Sequence, residues 1–354
     1  MADELRLAGS FALSLVAVLV LVPFVIRLAR RTGFVDRPGG YKGHEKPTPY
    51  LGGLAVVAAV AAGVVVFGVA TSRFAPLLIW ALVLFVVGTV DDKRNLSPWV
   101  RLAIECFAAL ALFNYGLGWT TFDNTAANIV LTVVWIVGLV NAFNLMDNMD
   151  GAASTVGGVS AVGAATAAII GGDVALAVIV LAVAGACCGF LRYNLAKPAR
   201  VFLGDGGSMP LGFVIAGAVM AEPMSADVGW TAILVAAPLV GLPILDTTLV
   251  VMSRRRAGRP ILSGGRDHLT HRLRAVLGSA RAVAIFLAVT QAVLCLGAIS
   301  LSHLDRIIVA MTAVGYVLAG AYAIYVLETP GRGRLVTAFH ALAASRVRSE
   351  QTTA

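Results

Sequence analysis

The sequence predicts an all-α fold: a polytopic integral membrane bundle of about eleven transmembrane helices. Three observations carry this. Only 13% of the 354 residues are charged, against roughly 25% in a soluble domain, while 59% are hydrophobic and mean hydropathy is +0.88. Apolar runs long enough to span a bilayer recur from one end of the chain to the other. Lys and Arg crowd into alternate connections between those runs.

The expected spans are about 8–29, 51–70, 75–90, 99–117, 128–144, 152–171, 174–191, 207–221, 230–252, 281–301 and 305–327. The first lacks an A-x-A-like cleavage site and has no basic flank before it beyond Arg6, so it reads as a span and not a removable signal. The third and eighth are short for a bilayer. No connection is long enough for a soluble domain, and no internal repeat is evident. Residues 1–330 therefore read as one transmembrane catalytic domain with its active site in cytoplasmic loops, and 331–354 as a flexible cytoplasmic tail.

Orientation follows from charge. With eleven spans, 24 of the 27 Lys and Arg residues fall on one side, leaving Arg6, Arg73 and Arg306 on the other. The basic side is cytoplasmic, which puts the N-terminus outside and the C-terminus inside. The net charge of +8 is thus a topology signal and a surface for phosphates and anionic headgroups, and nucleic acid is not needed to explain it. Cys106, Cys187, Cys188 and Cys295 lie inside apolar runs without metal-ligand spacing and read as reduced packing residues.

The polar residues that interrupt the apolar pattern lie at the cytoplasmic ends of spans. The central stretch is Asn141-Ala-Phe-Asn144-Leu-Met-Asp147-Asn-Met-Asp150-Gly151. A carboxamide or carboxylate recurs there at every third residue, which on a helix would form a shallow spiral facing one cavity. Carboxylates at membrane depth are expensive unless a cation, a partner or water meets them. Asp91-Asp92 closes the third span, although a helix C-terminus is the wrong place for anions. Phe202-Leu-Gly204-Asp205-Gly206-Gly207-Ser208 places a glycine-flanked carboxylate at the start of the eighth, where it can approach a metal or phosphate closely. The long loop before the tenth span carries Arg266-Asp267-His268-Leu-Thr270-His271-Arg272, whose histidines and arginines suit phosphate and sugar oxygens. The Pro- and Gly-rich loop after the first span offers Lys42, His44 and Lys46 as cationic donors.

In this order the motifs resemble the polyprenyl-phosphate N-acetylhexosamine-1-phosphate transferases. The matching pieces are Lys42-x-His44-x-x-Pro47-x-Pro49-x-x-Gly52-Gly53, Asp91-Asp92, Asn144-x-x-Asp147-x-x-Asp150-Gly151, Phe202-x-Gly204-Asp205-x-Gly207-Ser208 and His268-x-x-His271-Arg272. They cover about residues 30–275. Three departures stand out: Tyr41 where the family often has Arg, Thr270 where the sugar-1-phosphate branch often has a histidine, and no histidine triplet of the lipid I translocase type.

The resemblance implies transfer of a sugar-1-phosphate from a UDP-sugar to polyprenyl phosphate (undecaprenyl or decaprenyl), giving a polyprenyl-diphospho-sugar and UMP. GlcNAc-1-phosphate is the first expectation for the group moved. It implies Mg²⁺, with Mn²⁺ as an alternative, held by Asp205 with Asn144 as a second ligand. Asp150 would read the uracil edge, Phe202 would stack on the ring, and Asp147 would orient the site. Arg101, Lys42 and Lys46 are candidates for phosphate contacts, and His268, His271 and Arg272 for the sugar or its diphosphate. Asp91 and Asp92 are the catalytic candidates. A phosphate monoester with a second pKa near ~6 hardly needs a strong base at neutral pH, so direct in-line attack is expected, with the aspartates positioning acceptor and metal. The implied setting is the bacterial inner membrane with the site facing the cytoplasm, and a homodimer is left open.

Two other classes compete. An aspartate-rich intramembrane prenyltransferase would carry two comparable Asn/Asp clusters and no Phe-x-Gly-Asp or His-x-x-His-Arg loop. A transporter would place its charges near mid-span, often in paired repeats, whereas these motifs end at one face. Within the resembling family, a phospho-MurNAc-pentapeptide transferase is the alternative.

Overall fold

A computed structural model describes residues 3–36, 47–68, 72–221, 229–261 and 264–328. Among the described residues thirteen α-helices follow one another: α1 (Asp3–Thr32), α2 (Gly52–Phe67), α3 (Ala75–Arg94), α4 (Pro98–Asn114), α5 (Thr125–Met146), α6 (Ala152–Ile170), α7 (Val174–Asn194), α8 (Asp205–Ala221), α9 (Trp230–Leu239), α10 (Gly241–Arg256), α11 (Leu269–Leu277), α12 (Ala280–Leu301) and α13 (Arg306–Glu328). A two-residue antiparallel ladder joins β1 (Val35–Asp36) to β2 (Thr48–Pro49). Each of the eleven expected spans contains helix. Among the described residues seven helices are long and apolar enough to cross a membrane alone, α2 and α8 are shorter apolar helices, and α9 and α10 form a pair bent by 87°. The protein is a helical membrane protein.

α8 is the centre. Every residue from Gly206 to Ala221 is buried, enclosed by α2, α3, α5, α6, α7 and α9. Small residues let the backbones close in, as they must where lipid supplies no hydrophobic drive between helices. A Cβ at Gly88 of α3 would stand 2.3 Å from the Asp205 carbonyl, and one at Gly53 of α2 would stand 2.4 Å from the Gly207 amide. Three helix ends therefore meet at the start of α8.

The turns aim the polar residues. α3 stops at Arg94 because Asn95 takes a left-handed conformation (φ 49°), one that Asn tolerates better than most side chains. α4 begins three residues later at Pro98, which suits a first helical turn. The last turn of α3 thus faces the first turn of α4.

The stretch expected as the ninth span does not run straight. It breaks at Val240, between Pro238 and Pro243, and the buried Gln291 of α12 fills the break. Gln291 Nε2 donates to the Pro238 and Leu239 carbonyls at 3.1 and 2.8 Å, and its Oε1 accepts from the Leu242 amide at 3.2 Å. Backbone groups freed inside a bilayer need such partners.

Candidate active site

The site forms where α3, α4, α5 and α8 meet. Asp92, in the last turn of α3, accepts hydrogen bonds from the amides of Asp205 (3.0 Å) and Gly206 (3.1 Å). These are two of the orphan N–H groups that open α8. The poor placement of an anion at the end of α3 is thereby offset by the positive end of α8. Gly204, at φ +74°, makes this approach feasible: a Cβ there would lie 2.7 Å from Asp92 Oδ2. Asp91 turns the other way, as adjacent helical residues must. It accepts from the Leu96 amide and pairs with Arg101 of α4.

Arg101 also reaches Asp205 Oδ2 at 3.3 Å, so one guanidinium pairs with both Asp91 and Asp205. Asn144 donates Nδ2 to Asp205 Oδ1 at 2.7 Å and to Ser208 Oγ at 3.1 Å. Asp147 Oδ2 accepts from the Gly204 amide at 3.2 Å. Burial, reinforced by the nearby Asp205 and Asp92 and held in check only partly by that amide, pushes the Asp147 carboxyl well above the usual carboxylate range.

The three-residue spiral is corrected by the fold. α5 ends at Met146, with Asp147 as its C-cap, and Asp150 lies in the following turn before Gly151 (φ +79°) opens α6. Asn194 Oδ1 accepts from the Gly151 amide at 2.6 Å and pins this turn to the end of α7. Only Asn141 and Asn144 are helical, and Asn141 turns to Glu105 of α4. Asp150 is close enough to bear on the charge of Asp147. Phe202 is held by its backbone: its amide donates to the Pro49 carbonyl at 2.8 Å, and its carbonyl accepts from the Gly52 amide at 3.0 Å. Lys42 and Lys46 lie outside the described residues.

The histidine loop docks beside this cluster. Thr270 donates its hydroxyl to Asn148 Oδ1, next in sequence to Asp147. His268 is buried and places Nδ1 2.9 Å from Asp246 Oδ2. The His271 ring lies edge-on to His268 with centroids 6.3 Å apart. Burial first, then nearby positive charges, Arg266 and Arg274 among them, hold the His271 ring below its ordinary value of 6.5. Burial alone would raise the Asp267 carboxyl, but hydrogen bonds from Arg254 and its charge outweigh this and hold it low.

Arg272 is turned away from the cluster. Its donors go to the Asp267 carbonyl (3.2 Å), the Leu327 carbonyl (2.6 Å), Ser253 Oγ (3.1 Å) and the Glu328 carboxylate. It ties the loop to the ends of α10 and α13, so gripping a substrate would require releasing some of these bonds.

Sequence reasoning passed over Glu105 and Asp246. Both are lone carboxylates inside expected spans, and that alone was a signal. Glu105 is 1% exposed and Asp246 0%.

Fold and site together define an integral membrane helical protein with an acidic centre built around the N-terminus of a buried helix. Residues 74–222 match Glycosyl transferase family 4. A Bacillus subtilis (strain 168) protein named "Probable undecaprenyl-phosphate N-acetylglucosaminyl 1-phosphate transferase" is 35% identical over 297 residues, 78% of this chain and 80% of that protein. The decaprenyl-phosphate N-acetylglucosaminephosphotransferase of Mycobacterium tuberculosis (strain ATCC 25618 / H37Rv) is 30% identical over 311 residues, covering 77% of each. A phospho-N-acetylmuramoyl-pentapeptide-transferase from Shouchella clausii (strain KSM-K16) is 32% identical over 243 residues, 60% of this chain and 74% of that protein. The chain belongs to glycosyl transferase family 4, among the polyprenyl-phosphate N-acetylhexosamine-1-phosphate transferases.

Proposed function

We propose that this protein transfers N-acetylhexosamine-1-phosphate, GlcNAc-1-phosphate first, from a UDP-sugar to polyprenyl phosphate. A terminal oxygen of the lipid phosphate attacks the β-phosphorus, the bond to the bridging oxygen of UMP breaks, and UMP leaves. The observation that carries this is the gathering of Asp91, Asp92, Asn144, Asp147 and Asp205 at the start of α8, with Arg101 paired to Asp91 and Asp205. The names of the relatives support the same reaction.

Asp92 has both carboxylate oxygens engaged by α8 amides, which suits a positioning group better than a base. Arg101 is placed to steady a phosphoryl oxygen if it releases a carboxylate. Asp150 and Phe202 are proposed for the uracil, and His268 and His271 for sugar or diphosphate oxygens. His271, favouring its neutral form, would act there as a hydrogen-bonding group and not as a cation.

The donor set fits Mg²⁺. Among the described residues no group of three His, Cys, Asp or Glu forms a metal cage. Mg²⁺ does not need one, since it takes one or two carboxylates and completes its shell with phosphates and water. Asp91 and Asp205, both paired with Arg101, form an acidic pair that a hard cation would relieve. Asp205 would hold it, with the carboxamide oxygen of Asn144 as a second ligand. When bound, the ion neutralises charge on the donor diphosphate.

We further propose eleven spans, with the N-terminus outside, the C-terminus inside and the site facing the cytoplasm of a bacterial inner membrane. The basic loop before α11 lacks the histidine triplet of the lipid I translocase type, which favours a small donor. Competing UDP-GlcNAc against UDP-MurNAc-pentapeptide, with polyprenyl phosphate supplied and UMP release measured, tests both levels. UMP from UDP-GlcNAc is expected. Preferential use of the peptide-bearing donor would overturn the sugar assignment, and no UMP from any UDP-sugar would overturn the reaction.

A further inference from the structure

Asp246 lies in α10, outside the acidic cluster, and is completely buried. A buried carboxylate needs donors, and it has two. The Leu269 amide, the first of α11, donates to Oδ1 at 2.6 Å, and His268 Nδ1 stands 2.9 Å from Oδ2. With a carboxylate as partner, Nδ1 carries the proton. The ring then has one nitrogen left for any ligand, Nε2, and its orientation is fixed by Asp246. The same loop touches the acidic cluster through Thr270 and Asn148.

We propose that Asp246 is a positioning residue of the transfer reaction. It fixes the tautomer and direction of His268, so that Nε2 is presented as an acceptor for a hydroxyl or amide of the bound sugar nucleotide. The inference rests on the functional reading above. It differs from a purely structural role, which any pair of buried hydrogen bonds would fill. In Asp246→Asn, one oxygen must serve two donors. If it keeps Leu269, the amide NH₂ faces Nδ1 and forces the proton to Nε2. If it keeps Nδ1, the Leu269 amide is left facing a donor. Either outcome removes the arrangement while barely changing volume.

The test combines spectroscopy and a mutant cycle on the full chain. ¹⁵N-histidine NMR, with His268 assigned by its loss in His268→Gln, should show Nδ1–H in the wild type. Asp246→Asn should lower kcat/KM for UDP-GlcNAc by about 10- to 100-fold, as loss of a residue that orients a functional histidine does. UMP affinity should stay unchanged. In the His268→Gln background the same substitution should cost less than about threefold, because its target is gone. An Nε2–H tautomer in the wild type, or an equal loss in both backgrounds, would overturn the proposal. If Asp246→Asn does not fold, the wild-type spectrum decides alone. Absence of UMP release by the wild type would instead strike the functional reading, and the tautomer would still report on Asp246.

Discussion

Asp92 and Asp205 meet end to end: the side chain of the one, closing α3, accepts from the backbone amide that opens α8 on the other, at 3.0 Å. The contact spans 113 positions of sequence. It makes one carboxylate serve as the cap of the most buried helix and as a wall of the candidate site.

Asp92→Asn should therefore affect two properties. One acceptor oxygen becomes an NH₂ facing an amide, which should cost about 1 kcal/mol of stability. The shift of α8 against α3 should lower turnover about 100-fold, since small misplacements at a reacting centre cost that much. Asp91→Asn, which frees Arg101, should also lower turnover. UMP binding by calorimetry should change little in either variant, and a matching loss of nucleotide affinity would argue against positioning.

Asp205→Asn should abolish nearly all activity, on the order of 10³-fold, while the protein still folds. The amide oxygen can keep Asn144 as its donor, so the fold does not depend on the charge. EDTA should silence the wild type, with Mg²⁺ or Mn²⁺ restoring it. Near-normal turnover by Asp205→Asn would remove it from the metal site.

Direct attack predicts no covalent intermediate. UDP-sugar labelled at the β-phosphate, given without lipid acceptor, should leave the enzyme unlabelled after denaturing electrophoresis. A phospho-aspartate trapped this way would replace the mechanism with a two-step one.

Arg272→Lys should act on stability more than on donor use. A single ammonium cannot reproduce four bonds to Asp267, Leu327, Ser253 and Glu328. A melting temperature lower by about 2–4 °C is expected if roughly 1 kcal/mol is lost, with donor KM changed less than about threefold. A large rise in KM at unchanged melting temperature would place Arg272 on the substrate.

His271 should titrate below 6.5 by histidine NMR, assigned with His271→Gln. The sign follows from burial and nearby positive charge disfavouring the protonated ring. Between the folded midpoint and 6.5 the unfolded chain binds more protons, so the contribution of His271 to stability rises with pH across that window. It is fully present above 6.5 and is lost as pH falls through it. A midpoint at or above 6.5 would contradict the neutral role proposed for this ring.

Several features were legible in the chain itself. Asp205 is the first residue of α8, and Asp91 and Asp92 lie in the last turn of α3, close to where the apolar boundaries put them. Others were not. The repeat of Asn141, Asn144, Asp147 and Asp150 suggested one helix, but α5 ends at Met146, where Asn194 and Gly151 build a turn. Arg272 suits sugar or phosphate oxygens by type, and its bonds to the end of α13 could not be read from the chain.

By itself the sequence determined the class and the cast. Composition requires a membrane bundle, since chains this apolar must hide their backbone in helices, and polar residues tolerated at its edges mark the chemistry. Only the tertiary structure decided the partners. Helices buried on all sides carry little periodic signal, so nothing in the pattern of α8 says that Asp92 will cap it. Nor does it say that Gln291 will fill the break at Val240, or that Asp246 will hold His268. Those pairings are set by which helix ends pack together, and that is fixed by close contacts such as Gly88 on Asp205 and Gly53 on Gly207, between residues far apart in the chain.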